Sequence, residues 1–237
     1  MEQQFKTMYF CPKPDGVSQA DFQRRWRQHG RLAMSSPFWR QYVRYQHWDA
    51  LPPRELEGLD DDLMSTVSSQ WAGVGSAWLR DRASLDEGLA SYPELEFLLE
   101  DEVETFGRVL GTDVVPVFEN RVIDRGRPSF THIVGMWAKP GVEREEFSAR
   151  WLDLGTRLAE TPALERHLVT YVQNHSLEDF EGRDGLAEVG FASIEGMSKF
   201  FGELKFSEWL APAEGTFIDV PRSQRIVGTE HVLFDCP

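Results

Sequence analysis

Six histidines and five tyrosines are the side chains of this 237-residue chain best suited to moving protons near neutral pH. His29 is the most telling of them. Phe22, Trp26, His29 and Ala33 stand at i, i+4, i+7 and i+11, a spacing that puts them on one face of a helix. A histidine on such a face is either a hydrogen-bonded core residue or a general acid or base in a pocket. Apolar surroundings disfavour the imidazolium, so the second reading makes it a neutral base at pH 7. Tyr45 and His47 lie two apart in one strand-like run, Gln173 and His175 in another, so each pair faces one side of its strand. That side is either a ligand cavity or the helix layer. Tyr45 and Tyr171 could orient or protonate a phenolic or carbonyl oxygen; Tyr9 is one aromatic among several in its strand. His132, His167 and His231 are expected at surface or edge positions.

Other chemistries leave signatures that this chain lacks. No G-x-S-x-G, H-E-x-x-H, P-loop or G-x-G-x-x-G occurs. Asp60, Asp61 and Asp62 read as a solvated loop cluster rather than a metal site. The net charge is −14, with both halves acidic and no basic stripe, which argues against nucleic acid and anionic membrane surfaces. The two cysteines, Cys11 and Cys236, form no zinc or redox spacing, so a reduced cytoplasmic protein is expected. The first residues carry no basic-then-apolar signal pattern, and no apolar run is long enough to span a bilayer. Eight Trp and 16 Phe exceed what a core of this size needs, and such a surplus often lines apolar pockets or interfaces.

The elements that position these side chains occur twice. Lys13-Pro14-Asp15-Gly16-Val17 is followed by Phe22, Trp26 and Gly30; Lys139-Pro140-Gly141-Val142 is followed by Phe147, Trp151 and Gly155, each later residue 125 positions on. Before the turn the offset is 126, which matches Tyr9 to Gly135. Val43–His47 answers Tyr171–His175, and Ser84-Leu85-Asp86 answers Ser193-Ile194-Glu195. Each copy predicts a strand (Thr7–Cys11; Thr131–Ala138) closed by the Lys-Pro turn, then a helix, capped in copy one by Ser18 with Asp21 three residues on. Strands follow at Tyr42–His47 and Leu168–His175, then at Trp71–Leu79 and Leu186–Phe191. A second helix begins after Ser84 or Ser193, and final strands run Val114–Ile123 and Ile226–Phe234. Gly73 and Gly75 mark a bulge or a close packing contact. Residues 52–69 are extra in copy one and read as a loop with a short helix.

The order β-α-β-β-α-β is the split βαβ pattern. Fold class is therefore α+β: two tandem ferredoxin-like modules, residues 1–124 and 125–237, whose sheets pack into an intramolecular α/β barrel. Helices cover one face of each sheet, and the other face needs cover.

The Lys-Pro-x-Gly-Val turn, the Phe-x-x-x-Trp helix and the Tyr171-Val172-Gln173-Asn174-His175 strand resemble the EthD-like family of the dimeric α/β-barrel superfamily. The family helix usually ends in a His that opens a His-x-Pro-Leu-like segment; here His29-Gly30-Arg31-Leu32-Ala33 departs from it. The resemblance implies a module that pairs into a barrel. It also implies cofactor-free enzymes acting on aromatic, lactone or polyketide substrates as isomerases, decarboxylases or cyclases, or accessory proteins of degradation pathways.

The function expected is a cofactor-independent lyase or isomerase acting on an aromatic or polyketide-like small molecule. His29, Tyr45 and His47 are its catalytic candidates; Tyr9, Trp26, Trp78, Tyr171 and His175 are its substrate-binding candidates, with no metal. The alternatives are a heme enzyme of the duplicated ferredoxin-like type, a cofactor-free monooxygenase, and a non-catalytic small-molecule-binding protein. A self-contained barrel can stand alone or form a homodimer through its outer surface.

Overall fold

The computed structural model describes residues 4–59, 64, 67, 70–177, 180, 182–205 and 210–236. In chain order the elements are β1 (Gln4–Pro12), α1 (Gln19–Ala33), β2 (Tyr42–Ala50), β3 (Trp71–Leu79), α2 (Arg82–Ser91), α3 (Glu96–Phe106) and β4 (Val114–Asp124). Then come β5 (Phe130–Met136), α4 (Arg144–Ala159), the short α5 (Pro162–Glu165), β6 (Thr170–Ser176), β7 (Gly185–Phe191), α6 (Ile194–Lys205), α7 (Leu210–Phe217) and β8 (Gln224–Asp235). Hydrogen bonding connects the strands in the order β1-β3-β2-β8-β5-β7-β6-β4, which closes on itself as a barrel. Residues 1–124 contribute β4-β1-β3-β2 and residues 125–237 contribute β8-β5-β7-β6, the same order twice.

Two compact units divide the chain: unit 1 is Met1–Ala50, Ser69–Phe118 and Glu230–Pro237, and unit 2 is Leu51–Ser68 and Glu119–Thr229. In unit 1, β3 lies antiparallel between β1 and β2, with Tyr9 opposite Gly75 and His47 also opposite Gly75. Phe22 and Trp26 of α1 are fully buried and pack with Tyr9, Cys11, Phe106 and Leu110. Gly30, not Ala33, completes the buried face, because the helix meets the sheet closely there. Ser18 Oγ accepts from the Asp21 amide at 3.1 Å and also donates to its carboxylate at 2.6 Å, so the cap forms and the acid reinforces it through the hydroxyl.

Both Lys-Pro turns need a left-handed residue, and Gly16 (φ 78°) and Gly141 (φ 88°) supply it. Gly73 and Gly75 sit where the sheet meets large rings. A Cβ on Gly73 would lie 2.6 Å from Trp26, and in unit 2 one on Gly185 would lie 2.3 Å from Trp151. Close packing is what these glycines serve, and beside Gly73 the register also shifts: Cys11 opposes Gly73 and Pro12 opposes Trp71, with Ala72 left between. The second helical segment of the first half is broken into α2 and α3 by a 3-10 turn at Tyr92–Glu94, where Pro93 interrupts the amide ladder. The sequence pattern does not reveal α3.

In unit 2, β7 lies antiparallel between β5 and β6. Phe147, Trp151, Leu154 and Leu158 of α4 are buried, as the spacing predicts. Of the extra stretch after β2, Pro53–Glu55 forms a 3-10 turn, and Leu56 and Leu59 are buried in the unit 2 core. Asp60, Asp61 and Asp62 lie outside the described residues. Cys11 and Cys236 are both free thiols. No helix among the described residues is long and apolar enough to cross a membrane.

Candidate active site

The packing of α1 settles which face of the sheet holds the predicted residues. Tyr9 on β1 and Tyr45, His47 and Asp49 on β2 all point from the sheet of unit 1 toward α1. The His47 ring stacks on Trp26 with centroids 3.6 Å apart and planes 6° from parallel. Tyr45 meets His47 edge-on at 4.9 Å, and the Tyr9 and Tyr45 hydroxyls are hydrogen-bonded at 2.7 Å. Four sequence candidates, Tyr9, Trp26, Tyr45 and His47, thus form one cluster in the helix layer. Burial raises the pKa of both phenols, so each stays protonated.

Arg27 determines the state of His47. Its Nη1 lies 2.6 Å from His47 Nδ1, and its other nitrogen pairs with the Asp49 carboxylate. A guanidinium only donates, so Nδ1 must accept and the imidazole proton resides on Nε2. Burial first, then the Arg27 charge, holds the His47 pKa well below 6.5. His47 is therefore a neutral imidazole whose Nε2–H is buried with no hydrogen-bond acceptor among the described residues.

His29 carries the opposite tautomer. It lies on the same helix but reaches α3, where Nδ1 is 2.8 Å from Asp101 Oδ2. Asp101 is also held by Arg25 at 2.6 Å and accepts from Thr105 Oγ1 at 3.3 Å. Burial pushes the Asp101 pKa up, but the hydrogen bonds from Arg25 and His29 outweigh it and keep the carboxylate ionised. Nδ1 of His29 is then the donor, and Nε2 keeps its lone pair. Burial lowers the His29 pKa despite the opposing pull of Asp101, so the base form prevails at pH 7. His29 is 4% exposed, and the Phe106 edge lies 5.1 Å from its ring.

Trp78 stands apart. It points to the opposite face of the sheet, under Lys6 Nζ at 4.4 Å and the Arg44 guanidinium at 5.3 Å. Tyr171 and His175 belong to unit 2. There the Tyr171 hydroxyl accepts from Trp151 Nε1 at 3.1 Å and from Gln173 Nε2 at 3.2 Å. His175 pairs with Ser148 at 2.7 Å and lies against Trp151.

The helix-facing equivalences hold for Tyr45 with Gln173: a Cβ on Gly30 would meet Tyr45, and one on Gly155 would meet Gln173. The match of Tyr9 to Gly135 does not hold. Met136 opposes Gly185 as Cys11 opposes Gly73, which puts Val134, opposite Ala187, in the place of Tyr9. Gly135 therefore points to the other face. The first copy is one residue shorter from Cys11 to Lys13 than the second is from Met136 to Lys139, which makes the offset read 126 at the turn, and the extra Asp15 returns it to 125.

His132 is a second correction. It is 3% exposed in the middle of β5, not at a surface or edge, with Phe201 edge-on at 5.1 Å. β5 is paired on both sides, so its helix-facing residues are sealed in. Neither ring nitrogen has a partner among the described residues, and burial pushes its pKa down to about 3. Because the unfolded chain binds the proton near 6.5, this site gives full stability above that pH and loses it as pH falls toward 3. His132→Leu should raise the urea midpoint at pH 7 by the equivalent of about 1 kcal/mol and flatten the loss between pH 7 and 5. A lower midpoint at both pH values would show that the imidazole has a partner.

Arg27, Asp49, Arg25 and Asp101 were not singled out by their spacing. Asp49 was within reach of such a reading, since it continues the Tyr45/His47 parity. Asp101 was not, because it comes from α3, 72 residues from His29 in the chain.

No protein-family profile and no curated protein matches the chain significantly. Solved structures do. An anthrone oxidase-like protein aligns with TM-score 0.59 and 10% identity, over 97% of this chain and 92% of its own. A protein assigned as a chlorite dismutase aligns at 0.53 and 8% over 97% and 95%, and one assigned as a monooxygenase from Fusobacterium nucleatum at 0.51 and 9% over 97% and 93%. At these identities the likeness concerns architecture alone.

Proposed function

We propose that the chain is a cofactor-independent enzyme that moves protons on an aromatic or polyketide-like carbonyl compound, with its active site in unit 1. The reading also takes the chain as two tandem EthD-like modules, as the repeated turn, helix and strand motifs and the repeated strand order support. One observation carries the chemistry: two neutral histidines of opposite tautomer in one unit, His29 with a lone pair at Nε2 backed by Asp101, and His47 with a buried Nε2–H that lacks an acceptor among the described residues. His29 takes a proton from carbon next to the carbonyl, and His47 Nε2–H donates to the oxygen on which charge develops. The Tyr45–Tyr9 hydroxyl pair stands beside it as a neutral donor. Returning the proton to another carbon is isomerisation; attack of the enolate carbon on a second carbonyl of the substrate, whose oxygen then takes up a proton, is cyclisation; and a β-keto acid that loses CO2 gives the same enolate, which is then protonated at carbon.

His47 is fully buried and Tyr45 nearly so, so a substrate reaches them only when α1 lifts from the sheet. Gly30 is where that contact is tightest, with a Cβ there 2.5 Å from Leu233 and 3.1 Å from Tyr45.

The test is turnover of a panel of anthrones, aromatic β-keto acids and lactones in D2O, read by NMR, with oxygen consumption recorded in parallel. Deuterium entering a carbon position without oxygen uptake supports the reading. Conversion that consumes oxygen and introduces no deuterium sinks it in favour of the monooxygenase.

A heme reading has one observation in its favour. Metal-bound histidines commonly donate their second N–H to a carboxylate, as His29 does to Asp101. The surroundings do not fit: His29 is sealed by Phe106, and a porphyrin would have to displace α3. His47 lacks the free Nε2 lone pair that an axial ligand needs. A Soret band on hemin titration that His29→Ala removes would overturn this judgement.

A further inference from the structure

Between α1 and β2 the chain makes a 3-10 turn at Pro37–Gln41. Trp39 of this turn lies flat on Tyr42, with centroids 4.6 Å apart and planes 16° from parallel. Two more rings meet it edge to face, Tyr45 at 5.5 Å and Phe234 at 5.2 Å. Tyr42 and Tyr45 are three apart, so a regular strand would turn them to opposite sides. The register shift between Tyr42 and Arg44 brings both to the same indole. Irregularities of that kind re-aim side chains and are over-represented beside active sites.

The turn is anchored without Trp39. Phe38 fills a notch on α2, where a Cβ on Gly88 would lie 2.0 Å from its Cζ. Gln41 accepts from Ser84 Oγ at 3.2 Å and donates to Glu87 at 3.1 Å. Trp39 itself is only partly buried, and its indole N–H has no hydrogen-bond partner among the described residues. Its side chain can therefore swing out while the backbone turn stays in place. Carried 128 positions on, as Val43 is to Tyr171, Trp39, Tyr42 and Tyr45 become His167, Thr170 and Gln173. Unit 2 thus repeats the strand without the stack.

We infer that Trp39 is a stand-in for a ligand, and that its slot takes the aromatic body of a small molecule. The indole swings out, and a flat two-ring body of the same size lies on Tyr42 in its place, edge to face with Tyr45 and Phe234. Burial keeps both phenols protonated, so these walls carry no charge and suit a neutral ring system. The row of rings continues inward, since Tyr45 meets His47 at 4.9 Å and His47 stacks on Trp26. A molecule in the slot has its inner end at Tyr45, one ring from His47. The inference deepens the proposed function by saying where the substrate seats its rings; it rests on that reading for the chemistry but not for the binding.

The experiment is titration of 2-naphthol into the full isotope-labelled chain, followed by NMR through the indole N–H signals, with Trp39 assigned by its loss in W39F. Saturable binding is expected, and the Trp39 signal should move toward the position of a solvent-exposed indole. Decahydro-2-naphthol has similar size but no flat ring. It should bind about tenfold or more weaker, because aromatic pairs favour the flat ring beyond its buried area. Trp39→Ala should bind 2-naphthol at least about tenfold tighter, since the chain's own competitor is gone. Tyr42→Leu should bind it at least about threefold weaker. Absence of saturable binding to the parent overturns the inference, as does binding that leaves the Trp39 signal in place. Equal binding of the decahydro alcohol, or no gain in a folded Trp39→Ala, overturns it too. The parent titration decides even where Trp39→Ala fails to fold. The catalytic reading fails separately: displacement of Trp39 in a chain that turns over no substrate ends that reading and leaves the slot, whereas turnover with the Trp39 signal unmoved ends the slot alone.

Discussion

Replacing His29 with alanine is expected to lower turnover by about 10²–10⁴-fold on any substrate that exchanges a carbon-bound proton, the usual worth of a positioned general base. The chain should remain folded, since Leu154 occupies the equivalent position of α4 and a smaller apolar residue there is compatible with the helix packing. Asp101→Asn is the companion variant. It keeps the shape but removes the charge that fixes the Nδ1–H tautomer. Its turnover should fall less than that of His29→Ala. In the parent, burial holds the His29 pKa below 6.5 and Asp101 partly restores it. The acid limb of kcat/KM should therefore lie below pH 6.5 and move lower still in Asp101→Asn. Full activity in His29→Ala, with its fold verified by circular dichroism, would remove His29 from the mechanism.

Gly75→Ala should destabilise unit 1 by about 3 kcal/mol, through overpacking. The added methyl would sit 2.1 Å from Tyr9 Cζ and 2.4 Å from its oxygen. Tyr9 cannot yield: it packs edge-on to Trp26 at 6.5 Å and is tied to Tyr45 through its hydroxyl. For a chain of this size, that is a drop of about 6–12 °C in Tm. Unit 2 shows how the same cross-strand position accommodates a methyl, since Val134 faces Ala187 there. The double variant Y9V/G75A recreates that pair and should recover at least about 1 kcal/mol relative to Gly75→Ala. Recovery should be incomplete, because the buried Tyr45 hydroxyl loses its partner. Equal midpoints for the parent and Gly75→Ala, or no recovery in the double variant, would show that the strand shifts to make room.

The sequence by itself determined most of the elements, though not α3. Apolar residues at helical spacing place Phe22, Trp26 and His29 on one face of α1, and alternation places Tyr45 and His47 on one side of β2; both follow from local backbone geometry. The Lys-Pro turns and their glycines are equally local. The repeated motifs also anticipated the β-α-β-β-α-β order seen in each half of the chain. Tertiary structure alone decided which way those faces look. Parity says that Tyr45 and His47 point together, but only the packing of α1 shows that they point at Trp26 and not to the opposite face where Trp78 lies. It also decided the protonation pattern. Arg27 meets His47 across 20 residues and Asp101 meets His29 across 72, and no spacing rule connects residues that far apart. The swap of Gly135 for Val134 opposite the place of Tyr9 has the same origin. From Cys11 to Lys13 the first copy is one residue shorter than the second is from Met136 to Lys139, which turns the match of Tyr9 to Gly135 onto the other face of the sheet, and only the pairing of β1 with β3 and of β5 with β7 reveals it.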